Sequence, residues 1–283
     1  MADQSPQKMN TYHLRTTIAF LICVLLFGLF IPARGHVPLM NGGNNPGPVI
    51  IPDALKSWAI YGAVHETGEM DRYQFDLQAG DRLVLNLLVS PDARFTPSMV
   101  ITGPGVPSQG SVPSGVIIPG GSSAMVIEGK TGDLPSYEPF TPTKNVEVAR
   151  VDTRVTAPGS YTIVVYGDGT GPYGLAVGYL EEFSPSEWLL VPLSVISIRF
   201  WEGQSPILIF GPTALVLAAG LAIFLLRRDQ KGPKGLRSWL GIIGGLFCIG
   251  SGLNTLLQMG IALWGISLPS EAVVTLVFAL IPL

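Results

Sequence analysis

Three histidines, His13, His36 and His65, are all that this chain offers for imidazole chemistry. Its two cysteines, Cys23 and Cys248, both lie in apolar runs. Cleavage before His36 would give that residue a free α-amino group beside its imidazole. With the imidazole of His65 this makes three nitrogen ligands, a donor set that suits copper as Cu(II) and opens redox chemistry. The competing expectation is a mobile terminal histidine and a second histidine in a turn. Glu66, Glu69 and Asp71 form an acidic cluster, and Asp133 and Glu138 form a second. Hard carboxylate oxygens of this kind suit calcium, Ca²⁺, although no EF-hand spacing is present and a solvated loop is the commoner reading of such clusters.

Hydrolytic and nucleotide chemistry find less support. His65-Glu66-x-x-Glu69 lacks the second histidine of a zinc protease helix, and no G-x-S-x-G elbow occurs. Ala124 to Thr131 matches a relaxed phosphate-loop pattern through Gly129-Lys130-Thr131, but its Met-Val-Ile reads as strand where a glycine-rich loop is needed. Gly169-x-Gly171-x-x-Gly174 has dinucleotide spacing, yet no helix follows it.

The elements that must carry these residues are read from charge and hydropathy. Charged residues make up 13% of the 283, about half the usual share for a soluble protein. The net charge of -3 excludes disorder driven by charge excess and gives no basic balance for nucleic acid. That total conceals three unlike pieces: +2 over residues 1–35, -8 over 36–206 and +3 over 207–283.

Residues 1–35 read as a signal peptide or an uncleaved signal anchor. Lys8 and Arg15 precede the uncharged run 16–31, and Ala33 and Gly35 form a small-x-small site before His36. Residues 206–226 are 21 without a charge, long enough to span a bilayer as a helix. A basic loop, 227–237, carries Arg227, Arg228, Lys231, Lys234 and Arg237, and a second uncharged stretch, 238–264, follows between Trp239 and Trp264. Residues 271–283 begin a third apolar segment too short to span, either re-entrant or the start of a truncated helix that continues beyond Leu283. The basic loop belongs on the cytoplasmic side, which sets residues 36–206 on the extracytoplasmic side of a cell membrane or endomembrane. The N-terminal signal gives the same sidedness.

Residues 36–183 then form one extracytoplasmic domain without cysteine. Short alternating runs separated by Gly, Pro, Asp and Asn predict seven to nine strands, among them 73–77, 83–89, 99–101, 124–128, 146–155, 161–166 and 173–180. Val116–Ile118 is one further short strand, and Gly167–Pro172 a hairpin loop. The fold class expected is an all-β antiparallel sandwich or jelly roll joined to C-terminal α-helical transmembrane segments.

Two stretches carry a family likeness. Asp71-Arg72-Tyr73-Gln74-Phe75-Asp76-Leu77-Gln78-Ala79-Gly80-Asp81 resembles the opening of prepeptidase C-terminal (PPC-type) β-sandwich domains. Ala157-Pro158-Gly159-Ser160-Tyr161-Thr162-Ile163-Val164-Val165 resembles their late core strand, and the Pro-rich middle of the domain departs from the family pattern. The resemblance implies a non-catalytic accessory domain for binding or display.

Between domain and membrane, Ser184-Pro185-Ser186-Glu187 reads as a capping box. Residues 184–204 are expected to form an interfacial helix on the outer leaflet, or one packed under the sandwich. Ala214, Ala218 and Ala222 form one small-residue face, and Gly241 and Gly245 another, suited to a membrane partner subunit or a second copy of the chain. Asn254 and Gln258 share a helix face and can bond to a neighbouring helix. The expected role is a membrane-anchored binding or structural module. A copper-binding ectodomain and an accessory subunit of a membrane complex are the alternatives.

Overall fold

Residues 35–41, 47–130, 134–226 and 235–280 are described by the structure, a computed structural model. The signal segment before Gly35 and the basic residues 227–234 lie outside the described residues, as does Asp133.

Among the described residues eleven strands form two facing sheets. The six-stranded sheet runs β1 (Val37–Met40), β3 (Trp58–Val64), β11 (Gly171–Val177), β5 (Arg82–Val89), β9 (Thr143–Arg154) and β8 (Ser136–Glu138). The five-stranded sheet runs β2 (Val49–Ile50), β4 (Met70–Leu77), β10 (Gly159–Tyr166), β6 (Ser98–Gly103) and β7 (Ser123–Ile127). Alternation explains the core: Leu83, Leu85, Leu87 and Val89 of β5 face Tyr73, Phe75 and Leu77 of β4, together with Met99 and Ile101 of β6.

The sandwich is thus confirmed, with one correction to its antiparallel character. β1 pairs with β3, and β2 with β4, in parallel, so both sheets are mixed. A second correction concerns the loop 167–172, which is not a hairpin. β10 lies between β4 and β6, whereas β11 lies between β3 and β5, so this loop crosses from one sheet to the other. The crossing is packed on Phe95, so closely that a Cβ at Gly169 would sit 2.6 Å from the Phe95 Cβ. No strand forms at Val116–Ile118. Pro104, Pro107, Pro113 and Pro119 interrupt any ladder there. The segment instead lays Val112 and Val116 over the outer face of the five-stranded sheet, against Val100, Val126 and Val164.

Among the described residues four helices follow: α1 (Pro185–Trp201), α2 (Pro206–Leu226), α3 (Leu236–Leu263) and α4 (Ala272–Leu280). Two of them, over Pro206–Leu226 and Ser238–Leu263, are long and apolar enough to cross a membrane. They touch closely through glycine, since a Cβ at Gly250 would sit 2.9 Å from the Thr213 Cα and one at Gly220 2.3 Å from the Leu246 Cδ2. Pro212 interrupts the α2 ladder, and nearby the Asn254 side chain of α3 donates to the Ile209 carbonyl at 2.9 Å.

Candidate functional site

Polar residues concentrate where the sandwich meets the helices. The capping box of α1 forms as expected: the Ser184 hydroxyl accepts from the Glu187 N–H, and Glu187 accepts from the Ser184 N–H at 2.6 Å. The Glu187 carboxylate also takes the Lys56 ammonium at 2.6 and 2.8 Å, pinning the start of α1 beside β3. At its far end, Trp201 donates from Nε1 to the Gly62 carbonyl at 2.8 Å and meets the Tyr61 ring edge-on at 4.9 Å. The helix therefore lies along the sandwich. Val191, Val195 and Ile198 turn inward, while Leu189, Leu190, Leu193 and Phe200 remain exposed.

The last turn of α1 carries Arg199, 5% exposed. Its guanidinium donates to the Pro142 carbonyl at 3.3 Å and to Glu202 at 3.2 Å. Burial lifts the Glu202 carboxyl to about 7 against the pull of Arg199, and the same burial lowers the guanidinium. Gln204 donates to Glu202 at 3.1 Å, and its side-chain amide both donates to and accepts from that of Gln258 of α3, at 3.3 and 3.1 Å. The polar amides in the second apolar run thus find partners, Asn254 on α2 and Gln258 on the linker before it.

A second bracket comes from the β8–β9 hairpin. Tyr137 is buried among Met259, Ala262 and Ala272. Thr275 of α4 donates to the Pro139 carbonyl at 2.7 Å, so the Tyr137 hydroxyl must donate to Thr275 Oγ1, also at 2.7 Å. Lys144 donates to the Trp264 carbonyl at 3.1 Å, and the Phe140 and Phe278 rings meet at 5.7 Å. The short α4 is therefore docked under the sandwich, with Ala272, Thr275 and Ala279 buried.

Between α1, the outer face of β1 and β3, and the turn after β8 lies a cleft of about 400 Å³ including its open mouth. Pro38, Ala59, Phe140, Phe183, Val191 and Val195 make it apolar, and His36 and Glu138 also line it. Burial pushes the Glu138 carboxyl up to about 7, partly offset by the Phe140 N–H donating to it at 3.1 Å. Among the described residues no cation pairs with it. The His36 Nδ1 is 2.5 Å from the Ser57 hydroxyl, and burial lowers this imidazole.

The histidines considered for copper are not brought together. His36 sits level with Ser57 before β3 begins and His65 follows its end, eight residues on, which separates them by about 26 Å of strand. The Nδ1 that would chelate with an α-amine is held by Ser57. The acidic cluster is divided too. Glu69 folds onto the backbone N–H groups of His65 and Glu66. Asp71 faces the core, where the Tyr173 hydroxyl donates to it at 2.5 Å. Tyr73 in turn donates to Tyr173 at 2.6 Å and accepts from Asn41 at 2.9 Å. Desolvation raises the Asp71 carboxyl, so it serves as the buried end of a hydroxyl chain. Among the described residues no group of three His, Cys, Asp or Glu is arranged to hold a metal ion. The relaxed phosphate-loop segment contains strand β7, and Gly169, Gly171 and Gly174 serve the crossing to β11.

No family model and no curated protein matches the chain. Among solved structures it is similar to PliG of Aeromonas hydrophila, a periplasmic inhibitor of g-type lysozyme. That likeness has 17% identity and a TM-score of 0.27, and covers 50% of this chain and 97% of the other. It is also similar to the pre-peptidase C-terminal domain of a collagenase from Bacillus anthracis, at 17% identity and a TM-score of 0.26, over 47% of this chain and 97% of that domain. A PPC domain is thus among the solved structures this chain is similar to. The sandwich itself follows from the strand order above.

Proposed function

We propose that this protein is an exported, membrane-held β-sandwich with a non-catalytic binding or structural role, its domain fixed against the outer face of the bilayer. The observation that carries this reading is the double fastening of the sandwich to the helices. Arg199, Glu202 and Gln204 form one bracket and Tyr137 with Thr275 the other. A tether would need neither, because a flexible linker keeps a domain near a membrane without buried polar contacts. The exposed apolar face of α1 continues into α2 through the Phe200–Phe210 ring contact at 6.1 Å, and a lipid surface is the partner that suits both. This sidedness is supported by Arg227, Arg228, Lys231 and Lys234 between α2 and α3 in the sequence, with Arg237 at the start of α3.

Vesicle flotation tests the lipid contact. A Leu189→Glu, Leu193→Glu chain should keep its membrane insertion through α2 and α3 but lose quenching of Trp188 by lipid-borne quenchers. Unchanged quenching would remove α1 from the bilayer surface.

Role as an accessory subunit is a second reading, favoured by two open faces. Ala214, Ala218 and Ala222 are exposed, and nothing lies within 4 Å of a Cβ built at Gly241 or Gly245. Purification in mild detergent should then recover a complex heavier than the 30.1 kDa chain, and Gly241→Leu should dissociate it. A monomer in every mild detergent would rule this out.

A further inference from the structure

We propose that the cleft under α1 is the seat of the processed N-terminus: hydrolysis of the Gly35–His36 bond leaves an α-ammonium on His36, and Glu138 is its counter-ion. The observations come from both ends of that bond. On the sequence side, the basic start, the apolar run 16–31 and the small residues Ala33 and Gly35 mark this peptide bond for a leader-cleaving membrane protease. On the structural side, Gly35 is buried against the cleft wall, where an added Cβ would lie 3.0 Å from both the Phe140 and the Phe183 ring. Those two rings, His36 and Glu138 line one cleft.

Glu138 is the group that needs a partner. It sits among apolar side chains with one N–H donor from Phe140, and among the described residues no Lys, Arg or His completes an ion pair with it. Glu138 is half-buried, and a carboxylate drawn out of water with a single donor is costly; a cation delivered to the same cleft relieves the cost. His36 is held in place to deliver one. Its imidazole is hydrogen-bonded to the Ser57 hydroxyl, and the next N–H, that of Val37, donates to the Ser57 carbonyl at 2.9 Å. The residue cannot swing away without breaking both.

The chemistry balances with water alone. Water adds across the amide, its oxygen going to the Gly35 carbonyl carbon, and the C–N bond breaks. The leader departs as a carboxylate, and the nitrogen left on His36 takes up protons to become the ammonium. Since Gly35 is enclosed once the domain has folded, cleavage precedes closure of the sandwich on α1. The inference goes beyond the role proposed above. An intact N-terminus on an exported sandwich would defeat it and leave that role standing, whereas an intact N-terminus on a cytoplasmic sandwich would defeat both.

The test uses the full chain, produced in an exporting host and purified from membranes. Intact mass and N-terminal sequencing should give a chain beginning at His36. Reductive methylation near neutral pH should then modify its α-amine at least about tenfold more slowly than that of a free His-Val-Pro-Leu peptide, the factor given by a one-unit rise in amine pKa. Glu138→Gln should abolish that protection. If that variant does not fold, comparison of the native chain with the same chain in urea supplies the ratio. Any other first residue, an amine as reactive as the free peptide's, or protection unchanged in a folded Glu138→Gln chain overturns the proposal.

Discussion

Replacing Thr275 with valine isolates one bracket of the joint between sandwich and helices. The two side chains have nearly the same shape and both are β-branched, so the helix propensity of α4 hardly changes. What is lost is one hydroxyl, 1% exposed, that donates to Pro139 and accepts from Tyr137. Both partners stay buried. Each unsatisfied group costs about 1–3 kcal/mol, so the pair should cost about 2–4 kcal/mol after some relaxation. If local opening of the β8–β9 hairpin governs exchange, amides of residues 136–145 should exchange about 30- to 700-fold faster in lipid nanodiscs, at 1.4 kcal/mol per decade. The amides of β4 and β5, far from the bracket, should not change. Exchange within threefold of wild type over 136–145 would show that the hydroxyl holds nothing together, and the docking argument would fail with it.

Other expectations follow from single contacts. Gly62→Ala would place a Cβ 2.6 Å from the Tyr173 Cζ, and Tyr173 is held by Asp71, so overpacking should cost about 1–3 kcal/mol and lower the Tm. An unchanged Tm would show that Tyr173 yields freely. Ser184→Ala removes the cap of α1 and should fray its first turn by about 1 kcal/mol, read as faster exchange of the Glu187 N–H. The pH dependence of the joint has a definite sign. Burial raises the Glu202 carboxyl from 4.5 to about 7, so the folded chain keeps this proton more tightly than the unfolded one. Its contribution is full below about pH 4.5 and is lost as pH rises through about 7, a decline of up to about 3 kcal/mol. Exchange at the joint should quicken over that window in the wild type and less in Glu202→Gln. An opposite trend would mean that Arg199 dominates.

What could be read from the sequence was local, and what escaped was tertiary. The apolar run 206–226 and the capping box at Ser184 are properties of neighbouring residues, and α2 and α1 carry them unchanged. Strands β1, β2, β3 and β8 lie outside the set the alternation marks; β1 and β2 are short, and each gains its ladder from a parallel partner well along the chain. The loop 167–172 shows the same limit: its glycines signal a tight path, but Phe95, which fills that path, lies more than seventy residues earlier. Asp71 could have been placed better. It shares parity with Tyr73, Phe75 and Leu77, so the alternation that located the core also put this acid on the core side, away from a calcium loop. Asn254 and Gln258 stood out as amides in an apolar run, and both find partners. The Tyr137–Thr275 contact spans 138 residues, and no pattern within either segment announces it.

The central claim is that the sandwich stands outside the membrane, with the basic loop inside. Single cysteines in a chain carrying Cys23→Ser and Cys248→Ser test it directly. The sites are Ile117, 78% exposed on the sandwich, and Lys231 in the basic loop. An impermeant maleimide applied to intact cells should label the Ile117→Cys chain at once and the Lys231→Cys chain after permeabilisation alone. The reverse pattern, or labelling of both before permeabilisation, would contradict the account.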